Sequence, residues 1–149
     1  MKTLVEYLNR HKHKRLKRVY NYFPSTREEL ESIIEDRIKS EGEKCDLNDI
    51  DVSKITNMSY TFADSKFNGD ISQWDVSNVK SMHGMFNNSN FNGDISDWDV
   101  SNVEIMSFMF YNSEFNGDIS SWDVPKVKHM IGMFNESPLE KNPPKWYKE

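Results

Sequence analysis

The feature that most constrains this chain is a repeat with a period of 24 residues. The string FNGDISQWDVSN, which begins at Phe67, returns as FNGDISDWDVSN at Phe91 and as FNGDISSWDVPK at Phe115. A degenerate earlier copy, CDLNDIDVSKITNM, begins at Cys45. A repeat of this length is a supersecondary unit that buries its apolar face against copies of itself. The sequence therefore predicts about four stacked coils.

Each repeat carries eight apolar positions that stay in register and predict the core. In the best-formed copy they are Phe67, Ile71, Trp74, Val76, Val79, Met82, Met85 and Phe86. One outward residue separates Trp74 from Val76, which indicates a short strand, and the spacing from Val79 to Phe86 fits a short helix. Asn68-Gly69 is typical of a turn. The pattern predicts an α/β solenoid with a parallel sheet on one side and helical segments on the other.

The same residues carry a family resemblance. Ile-x-x-Trp-x-Val resembles the LxxLxL core of leucine-rich repeats, and FNGDISxWDVSNVxxMxxMFxxS resembles the BspA-like repeats, also called mycoplasma-type lipoprotein repeats. The resemblance covers residues 45–139. It implies a leucine-rich-repeat-like solenoid, and it implies a bacterial or protozoan surface protein that binds other proteins, often those of a host.

Four segments are predicted along the chain: a basic helical head (1–24), a capping helix (25–44), the repeat solenoid (45–139) and a C-terminal cap (140–149). The string Ser25-Thr26-Arg27-Glu28 is typical of a capping box, and Gly42 is a helix-ending residue. The apolar stripe between them predicts a helix near residues 26–40 that covers the first coil; it consists of Leu30, Ile33, Ile34 and Ile38. Pro143–Tyr147 are expected to form an aromatic lid on the last coil.

The formal net charge of −5 hides a division along the chain. Residues 1–20 carry seven Lys or Arg side chains against Glu6, whereas residues 45–137 carry fourteen acidic and five basic side chains. Basic amphipathic helices bind nucleic acid or anionic membrane surfaces, and they also dock on acidic domains of their own chain. All three options stay open for the head. Its candidate binding residues are Arg10, Lys12, Lys14, Arg15, Lys17 and Arg18.

Several functions are disfavoured by what the sequence contains. Of the four histidines, His11 and His13 lie in the basic head, and His83 and His129 occupy different register positions of the repeat. The chain also has a single thiol, no Gly-rich phosphate loop and no Cys/His metal spacing, so no catalytic or metal-binding constellation can be assembled. We therefore expect no enzyme, no metal and no cofactor. The single Cys45 and the missing signal peptide favour a cytoplasmic location over surface display. No apolar run is long enough to span a membrane.

The aspartates offer the best candidate site. One row lies at the outward position between two inward residues and consists of Asp51, Asp75, Asp99 and Asp123. Beside it stand Asp49, Gln73, Asp97 and Ser121. Each carboxylate of the row is expected to accept backbone amides of the next turn, and the row as a whole is a candidate strip for a basic partner. A second row is assigned to turn stabilisation in preference to Ca²⁺ binding: Asp46, Asp70, Asp94 and Asp118.

These features favour a non-catalytic protein–protein interaction module that binds a partner protein through its repeat surface. Three alternatives stay open. One is a small intracellular inhibitor whose acidic face imitates nucleic acid, the second is a nucleic-acid binder that works through the basic head, and the third is a surface adhesin. The sequence indicates neither the partner nor the oligomeric state.

Overall fold

The computed structural model describes residues 19–149, and helix α1 (Arg27–Glu41) is the only helix within them. Its N-cap is Thr26, whose hydroxyl accepts a hydrogen bond from the Glu29 amide at 3.2 Å. The Glu29 carboxylate accepts in turn from the Ser25 amide at 2.7 Å. The capping box therefore lies one residue later than predicted. Gly42 ends the helix with a positive φ of 95°, as its sequence position indicates.

Helix α1 covers the first coil with its apolar stripe. Leu30 and Ile34 are buried against the core, while Ile33 and Ile38 are partly buried at its margin. The six basic residues predicted as a binding surface of the head lie outside the described residues: Arg10, Lys12, Lys14, Arg15, Lys17 and Arg18.

The coils stack in the predicted 24-residue register, but they form no sheet within residues 19–149. Parallel pairing consists of isolated bridges, four of which join residues one period apart: Asp46 with Asp70, Asn57 with Ser81, Ser81 with Ile105, and Ile105 with His129. The prediction of an α/β solenoid with a parallel sheet is therefore wrong. The leucine-rich-repeat interpretation is also wrong, because it requires that sheet.

The backbone is irregular because its hydrogen bonds alternate between two directions. The Phe62 amide donates to the Met85 carbonyl of the next coil at 2.9 Å, but the adjacent Ala63 amide donates to Tyr60 of its own coil at 3.0 Å. The same alternation recurs at Phe86 and Asn87. Each coil thus alternates tight turns with hydrogen bonds to the next coil. This alternation is compatible neither with an extended strand nor with a helix.

Left-handed residues break the backbone at two positions in every coil. Their φ angles lie between 50° and 65°, far from the extended values that a strand needs. One column consists of Tyr60, Gly84, Phe108 and Gly132, and the other of Asp64, Asn88, Asn112 and Glu136.

The predicted strand and helix of each coil are both consecutive turns. The Trp74 amide donates to the Ile71 carbonyl at 3.2 Å, and the Val79 amide donates to Val76 at 3.0 Å. In the predicted helical part, the Met85 amide likewise reaches only three residues back, to Met82. The apolar spacing was interpreted correctly as inward-facing, but the secondary structure assigned to it was wrong.

Aromatic rings stacked from coil to coil fill the core. Phe86 stacks on Phe62 at 5.6 Å and on Phe110 at 5.5 Å between ring centroids. The indole Nε1 atoms of Trp74 and Trp98 donate to carbonyl oxygens 27 residues earlier in the chain, at 2.9 and 3.1 Å. The tryptophan column fixes the register of the coils, because each indole donates a hydrogen bond to the backbone of the preceding coil.

The last segment extends this stack. Trp146 lies one period after Trp122, stacks on it at 6.1 Å and donates its Nε1–H to the Ile119 carbonyl at 2.8 Å. What the sequence suggests is a lid therefore contains part of a further coil in register.

Candidate functional site

The aspartate row (Asp51, Asp75, Asp99, Asp123) lies where the turns of successive coils are tied together. The Asn78 side-chain amide donates to the Ser53 carbonyl at 2.7 Å, and Asn102 donates to Ser77 at the same distance. These bonds join the turns that directly follow Asp51, Asp75 and Asp99. The row is consequently part of a fixed, repeating surface.

Each of the two central carboxylates is held by its own turn. Asp75 Oδ1 accepts from the Ser77 amide at 3.1 Å and from the Ser77 hydroxyl at 2.6 Å. Asp99 accepts the same pair of bonds from Ser101, and these bonds hold the pKa of Asp99 below its usual range. Both side chains are exposed. The turn bonds of both residues use Oδ1.

The ends of the row differ from its centre. Asp51 is half-buried and accepts the Ser53 amide at 3.0 Å, whereas Asp75 and Asp99 also accept a serine hydroxyl. Asp123 is exposed, and its turn has Pro125 where the other copies have serine. Because proline has no amide hydrogen, Asp123 cannot make the turn bond of the other copies.

The residues predicted to flank the row do not form one surface of equivalent groups. Asp97 and Ser121 are exposed, whereas Gln73 is half-buried and donates its backbone amide to Asn48 Oδ1 at 2.8 Å. Asp49 is half-buried and held by two partners. Its carboxylate accepts from the Arg37 guanidinium at 2.8 Å and from Asn21 at 2.9 Å.

Arg37 connects α1 to the first coil. It is only 9% exposed, pairs with Glu41 as well as Asp49, donates to the Asp46 carbonyl, and lies 5.3 Å from the centroid of the Tyr22 ring. Burial raises the pKa of Asp49, but the hydrogen bonds from Asn21 and Arg37 outweigh burial and lower it. Asp49 is therefore engaged in a structural ion pair.

The second aspartate row makes the turn bonds that the sequence predicts. Asp94 Oδ1 accepts from the Ser96 amide at 3.0 Å and the Ser96 hydroxyl at 2.6 Å, and Asp118 accepts the same bonds from Ser120. These bonds lower the pKa of both carboxyl groups. Within residues 19–149, no group of three or more His, Cys, Asp or Glu side chains is placed to hold a metal ion.

A second surface, which sequence analysis missed, is a ridge of large side chains on another side of the coils. The exposed ridge consists of Tyr60, His83, Phe108, Tyr111 and Ile131. His83 lies between Tyr60 and Phe108, edge-to-face with both, at centroid distances of 5.1 and 5.9 Å. Its Nε2 atom is 2.8 Å from the Tyr60 hydroxyl. Tyr111 contacts Phe108 edge-to-face at 6.0 Å.

Small residues make room for the ridge in alternate coils. The Tyr60 ring lies against Gly84, where an added Cβ would come within 2.4 Å of a ring carbon. The Phe108 ring lies against Gly132 in the same way, with a closest approach of 2.5 Å. Large residues thus alternate between two adjacent positions from coil to coil. The pattern is hidden when each column is considered alone, because the large residue lies in the Tyr60 column in one coil and in the His83 column in the next.

The chain contains a stack of 24-residue coils with two aspartate rows on its surface, and this defines it as a repeat protein. Residues 29–146 match the model of a family described as "Mycoplasma protein of unknown function, DUF285", so the chain belongs to that family. The mycoplasma-type resemblance is thereby confirmed, but the match does not extend to BspA-like leucine-rich repeats. No curated protein and no solved structure matches the chain.

Proposed function

We propose that this protein is a non-catalytic interaction module that binds a partner protein through its repeat surface. The observation that carries the proposal is the fixed outward presentation of Asp75 and Asp99 on a stack whose core is filled. A side chain that is already ordered loses little conformational entropy when a partner binds it. Such carboxylates suit a partner with basic side chains.

The charge of the coils supports the same partner class. Residues 45–137 carry fourteen acidic and five basic side chains, so the coils attract a basic surface before contact is made. Within residues 19–149, no helix has both the length and the apolar character needed to cross a membrane.

The proposal is tested with a partner recovered by affinity purification from the native host and then produced in pure form. Changing Asp75 and Asp99 together to Asn keeps the shape and an acceptor oxygen but removes two charges. We expect association to slow by about tenfold at low salt and to depend less on salt concentration, because exposed charges steer encounter. Stopped-flow or surface plasmon resonance measures both quantities.

The matched control changes Asp94 and Asp118 together to Asn. These carboxylates make the same two serine bonds and carry the same charge, but they belong to the other row. We expect this pair to alter stability as much as the first pair and association far less. If both double variants slowed association equally, the cause would be the net charge of the protein and not the position of the aspartate row. A rate that neither pair lowers would contradict the role of the row.

A further inference from the structure

We propose that the exposed ridge is a docking surface for a polypeptide segment with an apolar centre and a Lys or Arg at each end. This inference goes beyond the proposed function, because it assigns a second contact surface to the ridge residues, apart from the aspartate row.

The ridge is unusual in leaving large side chains in water. Tyr60 is 50% exposed, Phe108 and Tyr111 are each 36% exposed, and Ile131 is 62% exposed. Tyr60 and Phe108 are joined through the His83 ring, which contacts both, and Tyr111 contacts Phe108. Ile131 lies in the next coil, where its carbonyl accepts the Phe108 amide. A contiguous patch of large exposed side chains is typical of a binding site.

The backbone gives an independent reason to assign function to the ridge. Tyr60 and Phe108 have φ angles of 60° and 57°, a conformation that bulky residues rarely adopt. The same column holds glycine at Gly84 and Gly132 with nearly the same φ, so the fold accepts the unstrained residue there. Aromatic rings kept in a strained and exposed position point to contact with a partner.

Charge decides which partner the ridge fits. An exposed carboxylate follows a backbone turn at each end of the ridge: Asp64 comes directly after the turn from Tyr60 to Ala63, and Glu136 directly after the turn from Gly132 to Asn135. The Arg27 guanidinium also reaches the Tyr60 end, where it donates to the Ser59 carbonyl at 3.2 Å, but it is paired with Glu28 and Glu31. Tyrosine rings also attract cations through their faces. A second copy of this chain would bring a like-charged body against these carboxylates. A segment with basic ends and an apolar centre complements both features.

The length of the ridge sets the length of the segment. The ridge crosses four coils, and coils that are hydrogen-bonded side by side are ~4.8 Å apart, so it measures about 14 Å. Four or five residues of extended chain span that distance. The expected segment therefore has two or three apolar residues between its basic ends.

In the test, a phage-displayed library of random peptides is selected for binding to the full chain. The enriched peptide is then synthesised with a fluorescein label, and the Kd of this probe is measured by fluorescence anisotropy. We expect the enriched peptides to share an apolar centre with Lys or Arg on both sides. The double variant Tyr60→Gly/Phe108→Gly should raise the Kd of the probe by at least about tenfold, as the loss of an aromatic anchor does. The variant Asp64→Asn/Glu136→Gln should raise it by about threefold to tenfold.

Two controls separate docking from folding and from the aspartate row. Ile131→Ser changes the most exposed ridge side chain, so it should weaken the probe without a change in melting temperature. Asp75→Asn/Asp99→Asn should leave the Kd of the probe within about twofold of the unchanged protein, because these residues belong to the other surface.

The outcomes separate this inference from the proposed function. If the probe binds the Tyr60→Gly/Phe108→Gly and Ile131→Ser variants with the same Kd as the unchanged protein, the ridge is not its docking surface. If the same probe fails to bind Asp75→Asn/Asp99→Asn, only the proposed function is supported. Enrichment of acidic peptides overturns the assigned partner chemistry. Enrichment of no peptide also overturns the ridge, whereas the association rates of the purified partner decide the proposed function separately.

Discussion

Trp98 stabilises the stack in two ways that substitutions can separate. The residue is 4% exposed, and its Nε1–H donates to the Ile71 carbonyl at 3.1 Å. Trp98→Ala removes both contributions and should cost about 3–5 kcal/mol. Trp98→Phe keeps most of the buried ring but leaves the carbonyl without its donor, so it should cost about 1–3 kcal/mol. Urea denaturation with an unchanged m-value measures both losses. A Trp98→Phe variant as stable as the unchanged protein would contradict a separate role for the hydrogen bond.

Gly84 shows how the ridge depends on small neighbours. A methyl group there would press against the Tyr60 ring, and the φ of 59° disfavours any L side chain. We expect Gly84→Ala to cost about 2–3 kcal/mol, of which about 1 kcal/mol comes from the backbone and the rest from displacing the ring. The midpoint of urea unfolding measures the loss.

The ring contribution can be isolated in a Tyr60→Gly background. Without the ring, Gly84→Ala should cost only the backbone share of about 1 kcal/mol, so the two substitutions are coupled. A Gly84→Ala cost that is the same with and without the Tyr60 ring would show that the ring moves aside freely.

The coils illustrate what a repeat allows one to predict from sequence. Aligned columns predicted the register and the inward residues, because every coil packs against copies of itself. They did not predict the backbone, since a spacing of three residues is shared by a helix and by consecutive turns. Met82 and Met85 have that spacing, and their backbone forms a single turn. The left-handed conformation of Tyr60 and Phe108 could not be predicted from their residue types, because bulky residues rarely adopt it.

The candidate surfaces were predictable to different degrees. Asp75 and Asp99 were found because their column is invariant between copies, and their serine bonds follow from local turn chemistry. The environment of Asp49 was not predicted, because its partner Arg37 comes from α1 and not from a neighbouring copy. The ridge was missed because its large residues change column from one coil to the next.

The contact between α1 and the first coil predicts a pH dependence of stability. The folded state lowers the pKa of Asp49, so its ionised form is favoured by folding. The stabilisation is therefore fully present above the unfolded pKa of about 3.9 and is lost as the pH falls through the lower folded value. Asp49→Asn should cost about 2 kcal/mol at neutral pH, and the difference from the unchanged protein should shrink below about pH 4.

Urea midpoints measured between neutral pH and about pH 3 provide the test. Asp97→Asn is the matched control, because it removes the same charge from an exposed position two repeats after Asp49. It should change stability by less than about 0.5 kcal/mol at every pH. A loss at Asp49 that stays constant as the pH falls would contradict the role assigned to the ion pair.

The two ends of the stack are closed by different means. At the first coil, α1 packs Leu30 and Ile34 on the core and anchors itself through Arg37. At the last coil, Trp146 and Tyr147 pack on Phe134, and Trp146 repeats the indole bond of the central coils. Because neighbouring coils share hydrogen bonds and stacked rings, a loss at either end is expected to weaken the whole stack.

Trp146→Ala tests this coupling over the length of the chain. The substitution exposes the Trp122 ring and leaves the Ile119 carbonyl without its donor, so we expect a loss of about 2–4 kcal/mol. The remaining tryptophans, Trp74, Trp98 and Trp122, should still unfold in one transition that coincides with the loss of circular dichroism. Lys145→Ala, an exposed neighbour, should change stability by less than about 0.5 kcal/mol. If Trp146→Ala split the fluorescence transition into two, with Trp122 lost first, the coils would be shown to unfold independently of one another.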